Sequence, residues 1–132
     1  MNAQKVAQIF GWVFIVVGVL GFVPIAMIGG TMGMQPSMML GLFPVNVVHN
    51  LVHLAFGIWG IMAAKSAAGA VQYCKIGGVI YLLLGVIGFI AAIEVMLHGF
   101  VPLNGFNAWL HLVLGAVLAY FGFAGAPAKA AA

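Results

Sequence analysis

The sequence predicts an all-α integral membrane protein, a four-helix bundle built as a tandem duplicated helical hairpin. Three observations carry this. Of the 132 residues, 66% are hydrophobic and 4% are charged, where a soluble domain has about a quarter of its residues charged. The apolar residues gather into four long runs with short connections, which leaves no length for a soluble domain. A polar motif also recurs inside these runs. Phe43 to Gly57 reads FPVNVVHNLVHLAFG, and Val101 to Gly115 reads VPLNGFNAWLHLVLG. Without gaps, Pro44 falls on Pro102, Asn46 on Asn104, His49 on Asn107, His53 on His111 and Gly57 on Gly115.

Four Lys and one Glu, with no Arg or Asp, cannot cover a soluble surface. The formal charge of +3 comes from isolated lysines and forms no basic patch, so nucleic acid is not an expected partner. Cys74 is the sole cysteine, which excludes an intramolecular disulfide.

Helix 1 is expected over about 7–29, with Pro24 kinking its last third and Gly18 and Gly21 admitting a close neighbour. The apolar run after Lys5 is long enough to span, and no small-x-small cleavage site follows a short apolar core. It is therefore expected to be a retained helix rather than a signal peptide. Residues 30–42 form a Met-rich loop broken by Pro36. Helix 2 is expected over about 46–64, capped by Asn46 with Pro44 just outside. A polar connection, Lys65 to Lys75, leads to helix 3 over about 75–97. Helix 4 is expected over about 104–123, capped by Asn104, with a mobile Ala-rich tail over 124–132. Leu84-Gly85-Val86-Ile87-Gly88-Phe89 echoes Val17-Gly18-Val19-Leu20-Gly21-Phe22, so helix 3 repeats helix 1 at an offset of 67 and helix 4 repeats helix 2 at 58. Two hairpins of the same orientation follow, related by an axis along the membrane normal.

Lys5, Lys65, Lys75 and Lys129 all fall on one side of such a bundle. The positive-inside rule makes that side cytoplasmic, with both termini inside. Trp12, Tyr73 and Tyr120 are expected at the same boundary as interfacial aromatics. The outer side then holds the Met-rich loop, both Pro-x-Asn motifs, Glu94 and His98.

The segments Phe43-Pro44-Val45-Asn46, His49-Asn50-Leu51-Val52-His53 and Gly57, with Asn104 and Leu110-His111-Leu112, resemble the bacterial family called domain of unknown function 4383. Tyr81 to Phe89 is similar to that family's third helix, and the resemblance covers roughly residues 8–123. It implies a four-helix bacterial membrane protein and brings no activity with it. The Met-rich loop departs from the family pattern.

His49, His53 and Gly57 share a helix face, as do Asn107, His111 and Gly115. Intramembrane polar residues on such faces tie helices together by hydrogen bonds, and Asn46, Asn50, Asn104 and Asn107 suit that structural role. Coordination is the competing reading. His53 and His111, with His49, are candidate axial ligands of haem b or chlorophyll, Gly57 and Gly115 leaving room for a flat ring. Glu94, His98 and His49 are candidate ligands for zinc, iron or copper, and the Met-rich loop offers soft sulfur for Cu(I). No nucleophile stands near a histidine with an acid partner, and no phosphate loop or paired acids occur, so no enzyme is expected. The function expected is a small accessory or structural subunit of the bacterial cytoplasmic membrane. Its partners are the lipid bilayer and larger membrane proteins or copies of itself.

Overall fold

The computed structural model describes residues 1–23, 37–90, 102 and 105–124. Four helices make up most of it: α1 (Ala3–Leu20), α2 (Val47–Ala63), α3 (Ala67–Ile87) and α4 (Gly105–Ala119), the last closing in a π-helical turn, Tyr120–Ala124. A two-stranded antiparallel sheet, β1 (Ser37–Met39) and β2 (Phe43–Val45), stands before α2. Three helices are long and apolar enough to cross a bilayer: α1, α3 and α4 with its π turn. At 17 residues, α2 is shorter but equally apolar.

Side-chain caps set three of the helix starts. Asn46 is extended, and its side chain accepts from the His49 N–H at 2.8 Å, which opens α2 one residue inside the expected boundary. Asn2 does the same for α1 through the Lys5 N–H at 2.9 Å, so that helix begins four residues before the expected start and takes Lys5 into its first turn. Ser66 caps α3 through the Gly69 N–H at 3.0 Å. The expected polar connection from Lys65 to Lys75 is therefore mostly helix, and only residues 64–66 join α2 to α3. The caps override hydropathy, because a Gln or Lys in a first turn can reach water while the backbone bonds continue.

The sheet is a second departure. Part of the expected Met-rich loop pairs with the start of the polar motif, Ser37 opposite Val45 and Met39 opposite Phe43. The turn between them puts Leu40 at φ 54° and Gly41 at φ 70°, the positive values of a primed hairpin turn. Pro24, Met27, Met32, Met34, Glu94, His98 and Asn104 lie outside the described residues, as do 125–132 of the expected tail and the ends of helices 1 and 3, while Ala124 closes the π-helical turn.

Burial follows steps of three and four along each helix. Ala7, Gly11, Phe14 and Gly18 are buried on α1, and His49, His53, Gly57 and Gly60 on α2. On α3 the buried set includes Ala70, Tyr73, Cys74, Gly78, Tyr81 and Gly85, and on α4 it includes Asn107, His111, Gly115 and Leu118. The interior combines small residues and buried Asn and His with a few large rings, Phe14, Tyr73 and Tyr81, while the exterior carries large apolar side chains such as Trp12, Val16, Ile58, Met62, Leu83, Trp109 and Val113. Tyr73 corrects the expectation of an interfacial aromatic. It is fully buried, with its ring 4.9 Å from that of Trp59 and set where a Cβ on Gly60 would meet it.

The glycine contacts repeat at the two offsets read from the sequence. Gly11 meets Ile61 on α2, and Gly78 meets Ala119 on α4. Gly18 meets Leu54, and Gly85 meets Leu112; Gly57 meets Ile15, and Gly115 meets Leu82. In each case both residues of the second pair lie 67 and 58 positions on from those of the first. Helix backbones approach closely at such positions because hydrogen replaces a side chain there.

Candidate functional site

The polar groups of the repeat meet inside the bundle. Asn46, His49, Asn50, His53, Asn107 and His111 are all buried. Their placement follows from the caps and the helix period. With Asn46 closing the first turn, His49, Asn50 and His53 land on the face that α1 covers.

Within the cluster the rings form a continuous path. The His49 and His53 centroids are 4.4 Å apart at 70°. His53 packs edge-on against Phe14 at 5.5 Å, and His111 packs edge-on against Tyr81 at 5.2 Å. Phe14 and Tyr81 stack on each other at 5.2 Å and 11°. His111 also lies within electrostatic range of both other histidines. The three histidines singled out from sequence are thus brought together. Phe14 and Tyr81 were missed, although the offset of 67 that relates α1 to α3 pairs them with each other.

Hydrogen bonding divides the cluster unevenly. His53 Nδ1 donates to the His49 carbonyl at 3.0 Å, one turn back, so a neutral His53 carries its hydrogen on Nδ1 and a lone pair on Nε2. Asn107 Nδ2 donates to the carbonyls of Pro44 at 3.4 Å and Pro102 at 3.3 Å. The first of these ties α4 to β2 across the two halves of the chain. Both ring nitrogens of His49, Nδ1 of His111 and Nδ2 of Asn50 are buried without a hydrogen-bond partner among the described residues. Asn50 is wedged against Gly21, where any Cβ would collide with its amide.

Two ligand expectations change in this arrangement. Gly57 and Gly115 do not leave room for a flat ring. A Cβ on Gly57 would stand 2.6 Å from the Ile15 side chain and 2.8 Å from backbone atoms of α1, and one on Gly115 would stand 2.6 Å from Leu82 N. Phe14 packs beside His53, and Tyr81 beside His111. For a metal, Glu94 and His98 lie outside the described residues, which leaves His49 alone of that set. Among the described residues no three ligating side chains come close enough to share an ion.

Compared with known proteins, residues 4–124 match the model of a single family, domain of unknown function (DUF4383). No curated protein and no solved structure matches the chain. The match spans nearly the whole sequence and includes every residue of the buried cluster, so the chain belongs to the DUF4383 family.

Proposed function

We propose that this protein is a non-enzymatic, four-span subunit of the bacterial cytoplasmic membrane that packs within a larger membrane complex or against copies of itself. The observation that carries the reading is the distribution of side chains. Large apolar side chains such as Trp12, Ile58, Met62, Leu83 and Trp109 point outward, while Asn46, His49, Asn50, His53, Asn107 and His111 are buried among Phe14, Tyr73, Tyr81 and close-packed glycines, unlike a water-soluble bundle with its polar surface. In hydrocarbon such a surface meets lipid or another apolar helix without cost. The buried cluster then serves as an internal tie, and Asn107 linked to Pro44 is its clearest bond.

The proposal includes a duplicated hairpin with both termini on the cytoplasmic side. The recurring glycine contacts at offsets of 67 and 58 support the duplication. Support for a shared side comes from one end of the bundle, where Met1 and Asn2 line a cavity with Tyr120, Phe121 and Ala124. The lysine distribution makes that side cytoplasmic. At 17 residues, α2 covers roughly 26 Å at 1.5 Å per residue, and β2 extends the segment on its outer side.

Gentle purification from the native membrane tests the reading. The expected result is a colourless protein that co-purifies with a membrane partner or a second copy, and His53→Ala and His111→Ala variants that lose thermal stability or assembly. A monomer with a near-stoichiometric Soret or chlorophyll band, lost in either variant, would replace this function with tetrapyrrole binding. Variants as stable and as well assembled as the parent would remove the packing role of the histidines.

A further inference from the structure

At the lysine-bearing end, the first two turns of α1 and the end of α2 enclose a groove of about 450 Å³. Lys5, Gln4 and Gln8 line it from α1, and Ile61, Ala64 and Lys65 line it from the α2 side. Gln4 Nε2 donates to the Ala64 carbonyl at 3.2 Å, which pins the start of α1 to the end of α2 and sets both lysines on one groove. The described residues contain no acidic side chain, so neither ammonium has an anionic partner among them. Lys75 differs. Its Nζ sits 5.5 Å over the Phe123 ring, engaged by its own chain. Ile61 gives the groove its apolar side, and Ile58 and Met62 are exposed on the same helix.

Two converging cations on a groove with an apolar side are suited to a phosphate carried on a hydrocarbon tail. We infer that this groove binds the phosphate of an anionic phospholipid, with Lys5 and Lys65 sharing its oxygens, Gln8 donating beside them and an acyl chain running along Ile58 and Met62. The inference rests on the bilayer reading above, and alkaline extraction separates the two. Release of the chain from membranes by carbonate would refute the spanning reading, whereas lipid retention tests the groove.

The experiment uses the full chain in nanodiscs of phosphatidylcholine with added phosphatidylglycerol, followed by native mass spectrometry of the re-extracted protein. The parent is expected to retain phosphatidylglycerol. Lys5→Gln and Lys65→Gln are each expected to lower retention about fivefold, while Lys75→Gln stays within about twofold of the parent. Lys5→Arg, which keeps the charge, is expected to hold the lipid, so a loss in Lys5→Gln is not a folding defect. Undiminished retention in Lys5→Gln and Lys65→Gln would overturn the inference. Equal loss in all three Gln variants would overturn it too, because it marks diffuse charge rather than a site. A third arm adds inorganic phosphate in phosphatidylcholine alone. Stabilisation of the parent but not of Lys5→Gln would assign the groove to free phosphate and refute the lipid as its source.

Discussion

Replacing Gly57 by Ala tests the packing argument most directly. The new Cβ would stand 2.6 Å from Ile15 Cγ1, 2.8 Å from the Gly11 carbonyl oxygen and 2.8 Å from Ile15 N. The isoleucine can rotate away, but the two backbone atoms cannot. Ordinary contact begins near 3.4 Å, so α1 and α2 must part by about 0.6 Å. A Cβ on Gly11 would stand 2.8 Å from Ile61 N and one on Gly60 2.9 Å from the Ala7 carbonyl oxygen, so both glycines share this interface and loosen with it. Such a gap forfeits a quarter to a half of each dispersion contact along the seam. Overpacking costs roughly 1–3 kcal/mol, offset by roughly 1 kcal/mol of helix propensity gained on replacing Gly. The net expectation is a loss of about 1 kcal/mol. Gly77→Ala is the control, since its Cβ would meet only side chains, Leu118 at 3.3 Å and Phe56 at 3.8 Å. It should keep the propensity gain and melt at or above the parent. Thermal unfolding is read by a thiol-reactive dye on Cys74, the sole cysteine and fully buried. A Gly57→Ala protein melting at or above the parent, or below which Gly77→Ala falls, would refute the close-packed seam.

Three further outcomes follow from the same interior. Asn107→Ala removes both bonds to the proline carbonyls and should cost about 1 kcal/mol in the same melt, with the α4 start losing protection in hydrogen exchange. Asn46→Ala removes the α2 cap and should cost about 1 kcal/mol, whereas Asn46→Asp or Asn46→Ser should recover most of it. His49→Asn should be at least as stable as the parent, because neither His49 ring nitrogen has a hydrogen-bond partner to lose among the described residues; a clear drop in melting temperature would show that the imidazole is bonded.

Much of this fold can be read in the sequence, for physical reasons that also explain what cannot. The Asn46 cap and the glycine faces follow from helix period and from the repeat, both of which survive in lipid. Hydropathy placed the starts of α1 and α3 too late, because it marks where side chains turn apolar rather than where backbone bonding begins. Asn2 and Ser66 carried the better signal, as cap residues whose side chains accept from the N–H three residues on. Tyr73 and Tyr81 were harder. In a membrane chain both lipid-facing and interior positions are apolar, so hydropathy says little about burial. The useful clue was the partner, since Gly60 leaves the space that the Tyr73 ring enters. The hairpin turn at Leu40-Gly41 has no Asn-Gly or Asp-Gly signature, and Leu40 adopts a positive φ that local sequence does not announce.

In their polar residues the two copies of the motif differ at one step, His49-Asn50 against Asn107-Ala108. In the second half Asn107 ties two carbonyls, and Ala108 sits against Gly88. At the matching positions of the first half, His49 makes no hydrogen bond through its ring among the described residues, and Asn50 fills the contact with Gly21 while its amide nitrogen stays unpartnered among them. The second copy of the motif packs with an Asn-Ala pair at these positions. An imidazole and a carboxamide buried in the same position therefore add desolvation cost that packing does not require. Chain-specific function beyond scaffolding is best sought at His49 and Asn50, by converting them together to the Asn-Ala of the second half. A double variant that folds, inserts and assembles like the parent but loses its role in the cell would locate that role in the surplus pair. One that also keeps its role would reduce the whole cluster to a tie between helices.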